Sequence, residues 1–524
     1  MTPSDTLSHP FPEQTGDAGS RRSAAGELRE TPDSAPVEYR TATDLAAALV
    51  ARKISSLELV ENAIAYIEAV DEKINAVVVR DFDRARDAAR LADAKLHRGA
   101  RAPLLGIPIT VKEHFHVAGL QTTWGNPAYH EWRSNIDALA VQRLKAAGAV
   151  LLGKTNVPNQ NGDWQSYNDI YGTTNNPWNP AFTPGGSSGG GAAALAAGYV
   201  PLELGWDGGG SLRTPAHFCG VFSHKASLNL VPLRGLSPPD APIVPRRDEG
   251  AAIGPMARGA IDLELALSVV AGPDELSDGV GYNLSLPPAR HAQLADFRVL
   301  MIDQHPLCPT SDSIRIALND MGDRLSKAGC TVLRHSPKLP DLALTSQVFE
   351  KLSFAKRSAK LLPEERTEIE RRARELAPHD HSLVACMLRG YLISHAEWVA
   401  LCQLRDDLRA RWQALFEDVD VVLCPPFSVQ TFKHDHSPML SRKIEINGTS
   451  RHYRCDLHAW AGIANMIGLP STTMPIAESN GLPIGMQIMG GFLEDRTTLG
   501  FAALVELDFG GFRPPCCSPT RRNS

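Results

Sequence analysis

The chain has 524 residues, 43% of them hydrophobic, with a formal net charge of -6 and a pI near 6.3. That is enough apolar material for a large enzyme core of one or more domains, and the lack of a basic field excludes a nucleic-acid partner as an expectation. Nine cysteines, an odd number without short regular spacing, read as reduced cytoplasmic thiols, and no stretch is apolar enough to span a bilayer, so no membrane partner is expected.

In chain order, residues 1–38 are polar, rich in Pro, Ser, Gly and Glu and without an apolar run, and are expected to form a disordered tail rather than a signal peptide. Helical apolar spacing follows over 43–51 and 55–70, where Ser55 and Glu58 match a capping box. Residues 77–79 read as a short strand and 81–97 as an amphipathic helix. The apolar run 106–112 predicts a buried strand that delivers Lys112 at its end. A helix over 136–147, closed by Gly148, leads to a second buried strand at 149–155. Helix 191–197, strand 199–204, helix 260–271, strand 297–302, helix 312–328 and strand 331–334 then alternate. The stretch 344–417 is helical and charged, and strands return at 419–424, 471–476 and 483–489. This alternation predicts an α/β fold: one large mixed sheet covered by helices on both faces, in a domain spanning 39–512. The long helices within 290–460 are expected to cap the sheet and line a substrate pocket. Residues 513–524 form a C-terminal tail in which Cys516 and Cys517 are an incidental exposed pair.

The densest chemistry lies between Pro184 and Pro215. It runs Pro-Gly-Gly-Ser-Ser-Gly-Gly-Gly-Ala-Ala-Ala and, after a strand, Gly-Trp-Asp-Gly-Gly-Gly-Ser-Leu-Arg-Thr-Pro. A flexible linker would not continue into Ala-Ala-Ala-Leu-Ala-Ala, a strong helix former. A phosphate-binding loop would need a Lys after Gly190 or Gly191, and none is there. Gly185 to Gly189 also spells Gly-x-Ser-x-Gly, a nucleophile elbow that would make Ser187 the attacking residue, but this leaves the motif from Asp207 to Arg213 without a purpose. Three consecutive glycines before Ser211 let backbone N–H groups converge on one point, so Gly208, Gly209, Gly210 and Ser211 are the candidate oxyanion hole. The pairs His114/His116, His379/His381 and His434/His436 lack a third ligand at fixed spacing and carry no metal assignment.

Two glycine-wrapped serines downstream of a lone strand-end lysine resemble the amidase signature family of serine hydrolases. The resemblance covers about residues 42–512 and includes Gly254-Pro-Met-Ala-Arg258, Gly481-Leu-Pro-Ile-Gly485 and Gly510-Gly-Phe-Arg-Pro514. It implies a Ser-cisSer-Lys triad: Ser211 the nucleophile, Ser187 the relay after a cis peptide bond, and Lys112 the base. A base working near neutral pH must be depressed by roughly two to three units, which burial beside an apolar run can supply. Asp207 and Arg213 are expected to hold the loop by an ion pair. Trp164, Gln165, Ser188 and Trp206 are the candidate pocket residues. The implied activity is hydrolysis of a C–N bond in a small carboxylic amide (an aryl or alkyl amide, an anilide, a carbamate or a urethane) through an acyl-enzyme. Water is the co-substrate, no metal or organic cofactor is implied, and the enzyme is expected to be a monomer or homodimer. Alternatives on the same scaffold are an amidotransferase A-type subunit that works in a complex and a catalytically silent binding protein. The chain departs from the family pattern at Trp206, Ser223, Ala226 and Asn229, and the segment Asn159 to Trp164 is unusually polar.

Overall fold

The structure, a computed structural model, describes residues 36–359 and 361–515. Most of both expected tails, with Cys516 and Cys517, lies outside these residues. At the inner edge of the expected N-terminal tail Val37–Tyr39 is a 3-10 helix with Tyr39 buried, so residues 37 and 38 carry regular structure.

Local sequence signals set the first elements. Ser55 Oγ accepts the Glu58 N–H at 3.1 Å and the Glu58 carboxylate accepts the Ser55 N–H at 2.8 Å, a closed capping box that launches Ser56–Ile74. That helix buries Leu59, Val60, Ala63, Ile64 and Ile67, the three-and-four spacing of one face. It ends at Asn75, which takes the left-handed conformation with φ 57°.

Eleven strands form one mixed sheet. From edge to edge the order is Val77–Arg80, Val150–Thr155, Pro108–Lys112, Leu202–Asp207, Ala252–Ala257, Phe222–Lys225, Ser471–Ser479, Leu482–Met489, Val421–Cys424, Arg298–Met301 and Thr331–Leu333. Pro108–Lys112 pairs in parallel with both neighbours, Val150–Thr155 and Leu202–Asp207, and all three are buried along almost their whole length, the first two as largely apolar runs and the third with Glu203 and Asp207 inside it. Successive residues of Val150–Thr155 show the two faces. Leu151 joins one cluster, with helices Leu139–Ala146 and Ala260–Val270, while Val150 and Leu152 join another, with Ser56–Ile74 and Gly189–Ala197. Helices thus cover both faces.

The strand expected at 199–204 runs instead from Leu202 to Asp207, because the preceding helix closes on a left-handed Gly198 (φ 88°) and Pro201 delays pairing. The shift places Trp206 and Asp207 on the strand itself. Phe222–Lys225 and Ala252–Ala257 are strands without a clear sequence signal: the first is short and polar, and Pro255 sits inside the second. The region 290–460 is not a single cap. Arg298–Met301, Thr331–Leu333 and Val421–Cys424 belong to the sheet, whereas Leu342–Ser358, Pro363–Arg374, Leu383–Gly390 and His395–Leu415 form the helical layer.

Candidate active site

Lys112 is the last residue of its strand, and the adjacent parallel strand ends at Asp207. Ser187 stands just before Gly189–Ala197, a helix whose residues are all small or Leu and all buried. The peptide bond between Gly186 and Ser187 is cis. A methyl group on Gly186 would lie 2.5 Å from the Asp163 carbonyl oxygen, so only glycine allows the chain to pass there. Lys112 Nζ donates to Ser187 Oγ at 2.7 Å, and both side chains are fully buried. The Ser188 N–H donates to the Ser211 carbonyl at 3.1 Å, which fixes one serine motif against the other. Ser211 is 8% exposed, and among the described residues its hydroxyl has no hydrogen-bond partner.

The charges around this pair are arranged in opposition. Burial pushes the Lys112 ammonium well below its ordinary range, against the pull of Asp207 and Glu203. Burial also pushes the Glu203 carboxyl up to about 8, although hydroxyls of Thr110 and Thr155 donate to it and Lys112 favours its ionised form. Asp207 is buried too, but Arg213 and the loop N–H groups outweigh desolvation and hold its carboxyl well below the usual range. Arg213 binds it in a fork, Nε to Oδ2 and Nη2 to Oδ1, each at 2.9 Å, so the expected ion pair forms with neither group exposed.

Asp207 also organises the glycine loop. Its Oδ1 accepts the N–H groups of Gly209 at 3.2 Å and Gly210 at 2.8 Å, and its Oδ2 accepts that of Leu212 at 3.1 Å. Two of the four candidate oxyanion donors are therefore directed at the carboxylate, and the N–H groups of Gly208 and Ser211 have no protein acceptor among the described residues. A cavity of about 590 Å³ opens beside Gly208 and Trp206, walled by Trp124, Phe349, Phe354 and Tyr391. A larger hollow of about 800 Å³ between Leu228, Tyr282, Gln413 and Phe492 includes no residue of the two serine motifs and not Lys112.

Of the four expected pocket residues only Trp206 lines the cavity beside the loop. Trp206 is half-buried, its ring 5.8 Å from Lys112 Nζ and 5.8 Å from the His114 ring, so it both fills space over the lysine and walls the pocket. The other three are corrected. Trp164 is buried under the loop and donates its indole N–H to the Gly209 carbonyl at 3.1 Å. Gln165 is buried and clasps the backbone of Asp435 through two hydrogen bonds, 2.7 and 3.0 Å. Ser188 is buried, with its hydroxyl 3.4 Å from the Trp206 carbonyl. In each case the polar end is engaged by backbone and cannot face a ligand. Among the described residues no three His, Cys, Asp or Glu side chains converge on one point. His114 and His116 are buried near Lys112 with lowered pKa, and His434 packs on His436 at 5.7 Å.

Sequence reasoning missed a buried pair next to the loop. His458 Nδ1 lies 2.6 Å from Glu350 Oε1, and a methyl group on Gly209 would meet His458 Nε2 at 3.1 Å. Burial drives the Glu350 carboxyl well up and the His458 imidazole well down, which favours the uncharged form of both. The two lie 108 residues apart, and no local spacing announces them. The departure at Asn229 has a structural reason: it holds φ 62°, a left-handed position Asn tolerates, and its side-chain amide bonds the Asp248 backbone at 3.1 and 3.0 Å. Nothing in the structure explains Ala226 in place of proline.

A sequence profile of the family described as Amidase matches residues 58–499. The A-type subunit of a glutamyl-tRNA(Gln) amidotransferase from Roseiflexus castenholzii is 33% identical over 486 residues, covering 88% of this chain and 94% of its own length. An indoleacetamide hydrolase from Bradyrhizobium diazoefficiens is 29% identical over 479 residues, covering 90% of this chain and 87% of its own. A chain in a solved vestigial protein complex that reveals the evolutionary origins of an s-triazine catabolic enzyme is 28% identical with a TM-score of 0.76, and the match covers 91% of this chain and all of that one. With the family profile spanning most of the chain, the fold shared with such enzymes and the lysine and two serine motifs gathered at one end of the sheet, the protein belongs to the amidase signature family.

Proposed function

We propose that the protein hydrolyses the C–N bond of a small carboxylic amide through an acyl-enzyme. Ser211 Oγ attacks the carbonyl carbon while its proton passes to Ser187 Oγ, whose own proton moves to the neutral Lys112 amine. The ammonium returns a proton by the same path to the departing nitrogen, and water then repeats the attack on the ester. The N–H groups of Gly208 and Ser211 stabilise the oxyanion, each worth about 3 kcal/mol. The observation that carries the reading is the 2.7 Å contact between Lys112 and Ser187, both fully buried, in surroundings that favour an uncharged amine. Full burial of Ser187 suits a relay better than a nucleophile, and the slight exposure of Ser211 suits the reverse. The aromatic walls favour aryl amides and anilides, with carbamates and urethanes as related substrates. The proposal includes a cytoplasmic monomer or homodimer; among the described residues no helix is long and apolar enough to cross a membrane.

Labelling by a fluorophosphonate, read as intact mass, tests the assignment. Ser211→Ala should abolish labelling in a folded protein and Ser187→Ala should only slow it; full labelling of the first variant with none in the second would reverse the roles. A second reading, an amidotransferase A-type subunit, is favoured by the 33% identity to one. It predicts that the purified chain turns over amides only with added partner subunits, whereas the hydrolase reading predicts turnover by the chain alone.

A further inference from the structure

The cavity beside Gly208 carries an excess of positive charge that the fold does not neutralise. Five cationic side chains line it, Arg246, Lys356, Arg357, Arg405 and Arg454, against two carboxylates, Asp248 and Glu249. Both carboxylates are already engaged: Asp248 binds Lys356 at 3.0 Å and Glu249 binds Arg405 at 2.5 Å. Three guanidinium groups remain without an acidic partner among the described residues. Arg246 donates to the Leu236 carbonyl and Arg454 to the Gly162 carbonyl at 2.7 Å, and the Arg357 guanidinium has no hydrogen bond to any described residue.

Arg357 and Arg454 flank one ring. Their guanidinium carbons lie 4.9 and 5.7 Å from the centre of Phe354, and Arg454 stacks on Trp164 at 5.3 Å as well, beneath the oxyanion loop. Arg454 is buried, whereas Arg357 is exposed at the side of the cavity open to solvent, so the two present like charge around one ring at its mouth. Glu350 feels both arginines, but burial raises its carboxyl well above the ordinary range even against them, and its Oε1 contacts His458, so it does not act as their counterion. Two close guanidinium groups without a carboxylate are unfavourable in a free protein, and such unbalanced groups concentrate where a ligand completes them.

Resting on the amidase reading above, we propose that the substrate carries a carboxylate, which Arg357 and Arg454 bind while the amide lies over Gly208 and Ser211. A carboxylate is the anion whose two coplanar oxygens match a guanidinium fork, and Arg357 has its whole donor edge free. A charge-assisted bond of this kind corresponds to a discrimination of roughly 10- to 100-fold.

The test compares carboxylated amides with uncharged isosteres, in wild type and in Arg357→Met and Arg357→Lys. On the amine side 4-acetamidobenzoate is paired with 4-nitroacetanilide, and on the acyl side the p-nitroanilide of succinic acid with that of 4-oxopentanoic acid. In wild type the carboxylated member of one pair should show the higher kcat/KM, and Arg357→Met should lower the carboxylate-to-isostere ratio by about 10- to 100-fold, with partial recovery in Arg357→Lys. Which pair responds tells whether the charge belongs to the acyl or the amine half. A binding readout runs in parallel: the rise in Tm produced by each carboxylate over its isostere, measured also in Ser211→Ala. A carboxylate-specific rise that depends on Arg357 supports the subsite even if no amide is cleaved, an outcome that would count against the hydrolase reading alone. Equal Tm rises and equal kcat/KM for both members of each pair, unchanged in Arg357→Met, would overturn the subsite and leave the hydrolase reading standing.

Discussion

Replacing Lys112 by Met isolates what the lysine does. Its side chain is fully buried and, among the described residues, bonds only Ser187 Oγ, at 2.7 Å, so Met keeps the stem's packing and removes only the nitrogen. Loss of a general base costs about 10²- to 10⁴-fold, and the upper end, where base, relay and nucleophile act as a unit, is about 5.5 kcal/mol of transition-state stabilisation. Stability should move the other way. Because burial lowers the folded-state pKa, the unfolded chain binds more protons at neutral pH, so stability rises with pH through that window and the lysine weakens the fold below it. Met removes this burden, and the variant should unfold at the same or a higher temperature. The pH profile supplies the sign. A base must be neutral in the free enzyme, so wild-type kcat/KM should climb with pH and level off below the ordinary lysine range. Lys112→Arg should be as inactive as Lys112→Met, since a guanidinium does not release its proton. The assay is kcat/KM with fluorophosphonate labelling rates across pH. An Arg variant with near wild-type turnover and the same profile would refute the reasoning, because Lys112 would then act only as a fixed charge.

Asp207→Asn should destabilise the protein by about 3 to 5 kcal/mol, because it leaves Arg213 buried without its carboxylate, and should slow labelling as the glycine loop loses its anchor; denaturant unfolding with an unchanged midpoint would contradict this. In wild type the Asp207 contribution is complete above the ordinary carboxylate range and is lost as pH falls below it, since its folded pKa is depressed. Glu203→Gln should leave the acid limb of the pH profile nearly unmoved below about pH 8, because the Glu203 carboxyl holds its own proton there and adds no charge beside the lysine, and a clear shift of that limb to lower pH would show an ionised Glu203.

The elements legible in the sequence are those whose signals are local. Ser55 and Glu58 close their capping box, Lys112 ends its apolar strand, and the glycine-wrapped serines sit at a helix start and in a loop after a strand. The missed strand Ala252–Ala257 carries Pro255, a residue that ordinarily speaks against a strand interior. The hairpin Lys443–Ile446 with Thr449–His452 was readable in principle. Asn447-Gly448, with φ 50° and 76°, is the two-residue turn that such hairpins prefer, but it lies in a charged stretch dominated by helical pattern. Arg246, Arg357 and Arg454 come from a loop and two helices, and Glu350 meets His458 across the helical layer. These are tertiary coincidences with no periodicity. The three corrected pocket residues failed for a related reason: a polar side chain near a motif in sequence can be fully occupied by backbone at that motif.

The lysine's neutrality depends on how two carboxyl groups beside it are handled, and they are handled differently. Asp207 stays ionised, yet Arg213 cancels it at 2.9 Å within the same buried loop, so the pair presents little net field while its oxygens aim the glycine N–H groups. Among the described residues no arginine pairs with Glu203. It receives only hydroxyls, from Thr110 on one neighbouring strand and Thr155 on the next, and these cannot offset burial, so near neutral pH the carboxyl holds its own proton. Had Glu203 been paired as a carboxylate with Lys112 itself, the ammonium would have been stabilised and the base lost. In the proposed mechanism, an ion pair for the loop and a protonated acid on the neighbouring strand together let a buried amine accept a proton in a site that still orders polar backbone donors.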